Sequence, residues 1–269
     1  SHALVRTEPN EPTDCCTAEI LFNTLLESKD PVVTYAHVGG RYADLRAGHN
    51  GKIEQSVEIH SAWGTFEWLL HDAFDLGYRM GIVANSDDHK GRPGASYPGA
   101  SLFGAYGGLT CFLMPELTRK ALFESLQRRH HYATTGTRLF LDVRVGFENP
   151  AEIFHRDPLW HNEASEPTDT AIMGDIVAVS DNEVDLSVTV DAPCSVERIE
   201  VYDGRELVEI IRNYKSHSAD RRIRILMEGA EHRGRGRIVK WDGRLIFKNN
   251  SVTCLKPINF WNPEQQPEL

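Results

Sequence analysis

Imidazole and carboxylate side chains come at the ends of three short apolar runs in the first third of the chain. In chain order they are His37, Glu58, His60, Asp87 and His89. Parallel strands place their carboxyl ends at one edge of a sheet, where α/β proteins carry their sites, so we expect these side chains to converge. Nitrogen and oxygen donors without a thiolate suit Zn, Mn or Fe. The pattern therefore predicts divalent metal ions as cofactors, with the ligands His37, Asp87, His89 and Glu58.

Each of these signals has a simpler interpretation when it is taken alone. An Asp87-x-His89 pair is also compatible with a helix cap beside a surface histidine, and a single histidine such as His37 is more commonly a hydrogen-bonded structural residue. Glu58 is harder to explain in this way, because an unpaired carboxylate buried in an apolar strand costs several kcal/mol. The combination of three strand ends favours the metal site.

Cationic residues stand close to these strand ends. Arg41 follows the first histidine of the set, and Lys90 and Arg92 follow the last one. A guanidinium group can make bidentate contacts to phosphate or carboxylate, although loop cations are also commonly solvated. We therefore expect a small phosphorylated or anionic substrate. The candidate catalytic residues are Asp87, Arg41 and Arg92.

The composition argues against several classes of function. The chain has 269 residues and a net charge of -10, whereas a nucleic-acid partner calls for a basic face. It contains no apolar run of about 18 residues, so no membrane partner is expected. The five cysteines form no C-x-x-C motif, which fits reduced thiols and predicts a cytoplasmic location. Neither a G-x-S-x-G elbow nor a Walker loop occurs, which disfavours a serine hydrolase and a nucleotide-binding fold.

The first half of the chain alternates helical and extended patterns. Helical spacing covers 17–28, 65–76 and 116–128, and Asp14 is a candidate cap for the first of these helices. Runs of β type cover 31–36, 55–60, 80–84 and 109–114. Repeated units of this length predict a parallel α/β arrangement.

The second half shows short alternating runs instead. They cover 140–145, 185–190, 198–202, 222–227 and 237–241, with turn signals at Asp203-Gly204 and Asp242-Gly243. This pattern predicts an antiparallel β-sandwich-like domain. We place the domains at 1–138 and 139–269.

The number of strand units constrains the first domain. Only about four βα units fit before residue 140, whereas a closed α/β barrel takes about eight strands. The first domain is then either a small open sheet or the second half of a barrel. The abrupt start at Ser1-His2-Ala3-Leu4 favours the second option.

Several motifs in the correct order resemble the PHP (polymerase and histidinol phosphatase) superfamily. The chain is most similar to a large uncharacterised bacterial branch, known only as a domain of unknown function. The resemblance runs from about Asp14 to Arg138. It is carried by His37-Val38-Gly39-Gly40-Arg41-Tyr42-Ala43-Asp44, Glu58-Ile59-His60-Ser61, Gly64-Thr65-Phe66-Glu67, Ser86-Asp87-Asp88-His89-Lys90-Gly91 and Tyr132-Ala133-Thr134-Thr135-Gly136.

The resemblance implies a fold, a site and an activity. The fold would be the second half of a distorted (β/α)7 barrel, followed by the β-rich domain. Asp87 and His89 match ligands of the family, His37 matches a mid-barrel histidine, and Glu58 falls on a pocket strand whose role varies. The family's opening His-x-His is absent, so the missing N-terminal part of the same protein is an expected partner.

The expected function is that of a metal-dependent hydrolase, most simply a phosphoesterase that uses metal-activated water. Two alternatives stay open. One is a non-catalytic binding module with a degenerate or incomplete metal site. The other is a metal-dependent amide or ester hydrolase, because the same chemistry cleaves several kinds of bond.

Overall fold

The computed structural model describes residues 13–37, 43–94, 106–213, 222–227 and 242–256. Within these ranges the chain forms three short α-helices, which are α1 (Ala18–Leu26), α2 (Trp68–Asp75) and α3 (Arg119–Gln127). The hydroxyl of Thr17 accepts the backbone N–H of Ile20 and caps α1, so the cap lies three residues after the predicted Asp14. Thr118 caps α3 in the same way. Each capping hydroxyl satisfies one of the unpaired amides of the first turn.

The first sheet is formed by four short strands. They are β1 (Tyr35–Ala36), β2 (Ser56–Ser61), β3 (Gly64–Thr65) and β4 (Gly81–Ala84). Strands β1 and β4 both run parallel to β2, while β3 returns antiparallel to it. This arrangement places the carboxyl ends of β1 and β4 on either side of β2.

The remaining strands pair in antiparallel fashion. Strands β5 (Leu109–Phe112) and β6 (His131–Thr134) form a two-stranded sheet. The long strand β7 (Phe140–Phe154) pairs with β8 (Glu166–Ile172), β9 (Ile176–Ala178) and β10 (Asp185–Asp191). A hairpin of β11 (Ile199–Asp203) and β12 (Glu206–Ile211) follows. Its turn contains the predicted Asp203-Gly204, and Gly204 adopts the positive φ of 57° that a tight turn favours.

The predicted α/β fold, half of a distorted (β/α)7 barrel followed by a sandwich, is wrong. The described residues are mainly β-strands in several small sheets, with three short helices and no closed barrel. The physical reason is visible at β5. A barrel would continue the parallel series beyond β4, but β5 pairs with β6 in antiparallel register instead. The helical patterns also yield helices of only eight or nine residues.

The predicted strands of the second half have mixed outcomes. The run at 140–145 is the beginning of a strand that continues to Phe154, and the runs at 185–190 and 198–202 correspond to β10 and β11. The run at 222–227 has no regular secondary structure. The run at 237–241 lies outside the described residues.

The principal apolar cluster packs α2 against the first sheet. It contains Leu45, Val57, Phe66, Trp68, Leu69 and Ala73. Burial of these side chains fixes β2, the central strand, against the helix and so provides the rigid support for its neighbours. In the described part of the chain, no helix has the length and apolar character needed to cross a membrane.

Polar contacts join the two sides of the predicted boundary at 138/139. Arg79 Nη1 lies 2.9 Å from Asp157 Oδ1, and His130 Nε2 lies 2.8 Å from Asp175 Oδ1. The guanidinium of the buried Arg129 donates to the carbonyl of Gly174. The boundary itself stays a prediction, but the segment around 157–175 packs on the first half of the chain.

Candidate functional site

Four predicted ligand residues form one chain of contacts at the edge of the first sheet. His37 Nδ1 lies 2.5 Å from Glu58 Oε2, and His37 Nε2 lies 3.8 Å from Asp87 Oδ2. Asp87 Oδ1 in turn lies 2.8 Å from His89 Nε2. Carboxylates and imidazoles therefore alternate in the order Glu58, His37, Asp87 and His89.

The parallel strands explain why these side chains meet. Ala36 is paired with Val57 between β1 and β2, so His37, the next residue, reaches the position of Glu58. Glu58 is itself opposite Val83 of β4, and the register shifts directly after it, between Glu58 and His60. Asp87 and His89 follow the end of β4 on the other side of β2.

Glu58 is the buried end of this series of contacts. Its side chain is only 2% exposed, and Oε1 accepts a hydrogen bond from Asn85 Nδ2 at 2.5 Å. The hydrogen bond to Glu58 raises the pKa of His37, because it stabilises the imidazolium form. Burial, followed by the charge of Glu58, raises the pKa of the nearby Tyr35 phenol.

The loop after β4 has an unusual backbone. Asp87 and His89 both have positive φ values, 43° and 55°, which L-residues other than glycine rarely adopt. The buried Asp88 between them accepts the backbone N–H of Lys90 at 3.1 Å and of Arg92 at 3.4 Å. This turn fixes the directions in which Asp87 and His89 project.

One oxygen of Asp87 stands out in this arrangement. Asp87 Oδ2 is buried and has no hydrogen-bond partner among the described residues, while a separation of 3.8 Å from His37 Nε2 is too long for a hydrogen bond. No group of three or more His, Cys, Asp or Glu side chains in the described ranges is arranged to hold a metal ion. The donors instead pair with one another, and Asp87 Oδ2 is the oxygen left without a donor in the part of the site that the structure describes.

The other candidate residues have different positions. His60 is buried and lies 2.7 Å from Thr65 Oγ1 and 2.8 Å from the Tyr106 carbonyl, so both of its nitrogens are engaged away from the site. Arg92 Nε donates to Asp88 Oδ2 at 3.1 Å, and this guanidinium therefore braces the loop. Arg41 lies outside the described residues.

Sequence reasoning missed two residues that shape the site, Asn85 and Asp88. Asn85 is the first residue after β4 and bridges to the central strand through Glu58. Asp88 is the middle residue of the Asp-x-His motif. An amide or carboxylate side chain within a few residues of the end of a buried strand is the signal that would have identified both, because such residues commonly form local hydrogen bonds to turns.

Part of this site lies within a region that is similar to a family model. Residues 81–193 match the family model described as "Protein of unknown function (DUF3604)". This similarity includes β4, Asp87 and His89, and it continues across the predicted domain boundary. It does not include His37 or Glu58.

One curated relative is similar to part of the chain. The chain is 29% identical to an uncharacterised protein of Chlamydia pneumoniae, in a match that covers 35% of this chain. The matched region spans 18% of the length of that relative. No solved structure matches the chain.

Proposed function

We propose that this chain is a metal-dependent hydrolase, with a phosphoester as the preferred substrate class. The single observation behind this proposal is the alternating chain of Glu58, His37, Asp87 and His89 at the ends of parallel strands. The resemblance to the PHP superfamily supports the same class of chemistry.

The donor types fit a divalent ion, although the described side chains pair with one another and are not arranged around one. Imidazole nitrogens and carboxylate oxygens are ligands of Zn, Mn and Fe. Within the described ranges, Asp87 Oδ2 is a buried oxygen without a hydrogen-bond partner, and burial of such a group is costly unless a cation or donor meets it. His37, Asp87 and His89 are the residues that would hold the ion.

The half-exposed imidazoles also make the site accessible. The side chains of His37 and His89 are 55% and 49% exposed, while Asp87 is 13% exposed. A small substrate can therefore approach from solvent on the imidazole side. A bound ion would lower the pKa of water and offset negative charge on the phosphoryl oxygens.

The loop after β4 orients the candidate ligands and a candidate substrate-binding arginine. The Asp88 carboxylate accepts hydrogen bonds from the backbone N–H groups of Lys90 and Arg92. The resulting turn holds Asp87 and His89 in their positive-φ conformations. The Arg92 side chain is 42% exposed and is kept beside the loop by Asp88. We assign to Arg92 the contact with the anionic substrate, for which a guanidinium is suited.

Hydrolysis of a substrate panel tests the proposal. The purified chain would be loaded with Zn²⁺, Mn²⁺ or Fe²⁺ and assayed on a phosphomonoester, a phosphodiester, a carboxyl ester and an amide. The expected result is metal-dependent release of phosphate, with Asp87→Ala lowering the rate by at least about 100-fold. Cleavage of only the carboxyl ester or the amide would contradict the phosphoester assignment and favour a metal-dependent amide or ester hydrolase.

Asp142→Ala is the matched control for this assay. Asp142 is also a carboxylate in an ion pair, with Arg144 at 2.7 Å, but it lies on β7. Its loss is expected to leave the rate unchanged. Absence of hydrolysis with every metal and substrate, in a folded chain, would favour a non-catalytic binding module and contradict the proposal.

A further inference from the structure

Glu58 differs from the other members of the site in both burial and contacts. It lies within β2, the central strand, and its carboxylate is 2% exposed. Both of its oxygens face donors, with His37 Nδ1 at 2.5 Å from Oε2 and Asn85 Nδ2 at 2.5 Å from Oε1. Asp87 in contrast has an oxygen without a hydrogen-bond partner.

We propose that Glu58 is a positioning residue, which holds the His37 imidazole in a single tautomer and orientation, and that Asn85 fixes Glu58 for this purpose. This inference rests on the proposed function, because the tautomer matters most when His37 binds an ion. It also replaces the role of metal ligand that the sequence suggests for Glu58.

The hydrogen-bond geometry determines the tautomer. An ionised carboxylate only accepts hydrogen bonds, so the proton between His37 and Glu58 belongs to Nδ1 of the neutral ring. Nε2 then carries a lone pair, and it is this atom that faces Asp87 Oδ2 at 3.8 Å. His37 Nε2, after β1, and Asp87 Oδ2, after β4, are thus two electron-pair donors that face each other.

Asn85, which directly follows β4, holds the Glu58 carboxylate from the side opposite to His37. Its amide donates to Glu58 Oε1, and its own backbone N–H donates to the carbonyl of His60 at 3.2 Å. Asn85 is thus anchored to β2 at two points. A carboxylate that is held on both sides cannot rotate to follow another ligand, which favours an orienting role over direct coordination.

The direct test is the protonation of His37 in the metal-free chain. Imidazole ¹⁵N NMR at alkaline pH, where the ring is neutral, distinguishes Nδ1–H from Nε2–H, and His37→Gln assigns the signals. We expect the Nδ1–H form in the wild-type chain. Glu58→Gln, which preserves size but removes the charge, should lower the ratio of Nδ1–H to Nε2–H by about tenfold.

A second pair in the same chain provides the control. His49 Nδ1 lies 2.7 Å from Glu54 Oε2, with both side chains buried. Glu54→Gln therefore removes a comparable buried contact without touching His37. It should leave the His37 signals as they are in the wild type, and thermal unfolding of both variants shows that each remains folded.

Titration with Zn²⁺ separates this inference from the proposed function. If the chain binds the ion, Glu58→Gln should weaken the affinity by about 10–100-fold, as loss of an orienting partner does, and Glu54→Gln should not. If no ion binds but Glu58→Gln alters the tautomer, the proposed function fails and the positioning role stands. An unchanged tautomer in Glu58→Gln, or an equal change in Glu54→Gln, overturns the positioning role.

Discussion

His37 Nδ1 and Glu58 Oε2 lie 2.5 Å apart, although the two residues are 21 positions apart in the chain. The contact exists because β1 and β2 run parallel and pair Ala36 with Val57. It connects an accessible imidazole to a buried carboxylate of the central strand, so that a surface group acquires the rigidity of the core.

The turn around Asp88 is expected to control metal affinity. Asp88→Ala removes the acceptor for the N–H groups of Lys90 and Arg92, so the loop can leave the positive-φ conformations of Asp87 and His89. We expect about a tenfold loss of Zn²⁺ affinity by titration calorimetry. Asp88→Asn, which keeps one acceptor oxygen, should lose less. Equal affinity in Asp88→Ala and the wild type would show that the turn does not position the ligands.

A second prediction concerns the contact of Gly51 with Trp160. A Cβ atom at Gly51 would lie 2.3 Å from Trp160 Cδ1, so Gly51→Ala must displace the indole. We expect the free energy of unfolding to fall by about 1–3 kcal/mol in denaturant titrations. Because Trp160 comes from the second half of the chain, this loss measures the packing across the predicted boundary.

Two further variants make the Gly51 prediction specific. Gly243→Ala is the matched control, because a Cβ at Gly243 meets nothing within 4 Å, and it should be neutral. In a Trp160→Leu background the cost of Gly51→Ala should shrink, since the clash is then relieved. An unchanged cost in that background would mean that the two residues do not contact each other.

The buried His131 predicts a pH dependence of stability. Its Nε2 lies 2.9 Å from Ser56 Oγ and its Nδ1 3.0 Å from the Ile82 carbonyl. Burial lowers the pKa of His131 to about 4, below the value of about 6.5 in an unfolded chain. The unfolded state therefore takes up the proton first as the pH falls.

The sign of this effect follows directly from proton linkage. The contribution of His131 is fully present above pH of about 6.5 and is lost progressively toward pH of about 4, by up to about 3 kcal/mol. His131→Gln should flatten the pH profile of unfolding in this window. A wild-type slope in His131→Gln would refute the assignment.

The site was easier to anticipate than the fold. His37, Asp87 and His89 each follow an apolar run, and local patterns of this kind are sufficient to place strand ends. Their proximity then follows from parallel pairing of β1, β2 and β4. Their role as ligands stays a prediction, because nothing in the chain's pattern distinguishes a metal ligand from a hydrogen-bonded histidine.

The predicted fold is wrong because the sequence pattern does not determine which strands pair, or in which direction. The run at 109–114 is equally apolar in a parallel or an antiparallel sheet, and only the pairing of β5 with β6 decides between them. The turn at Gly204 was more readily identified, because Asp-Gly specifies its own backbone conformation. Partners distant in sequence, such as Gly51 and Trp160, depend on tertiary packing alone.

Equilibrium metal binding by the 269-residue chain tests the central claim most directly. The chain would be dialysed against Zn²⁺, Mn²⁺ and Fe²⁺, and bound metal would be counted by elemental analysis for the wild type, Asp87→Ala, His89→Ala and the control Asp142→Ala. We predict that the wild type and Asp142→Ala retain at least one ion per chain, and that Asp87→Ala and His89→Ala lose it. A folded wild-type chain without bound metal, or metal that survives Asp87→Ala, would contradict the account.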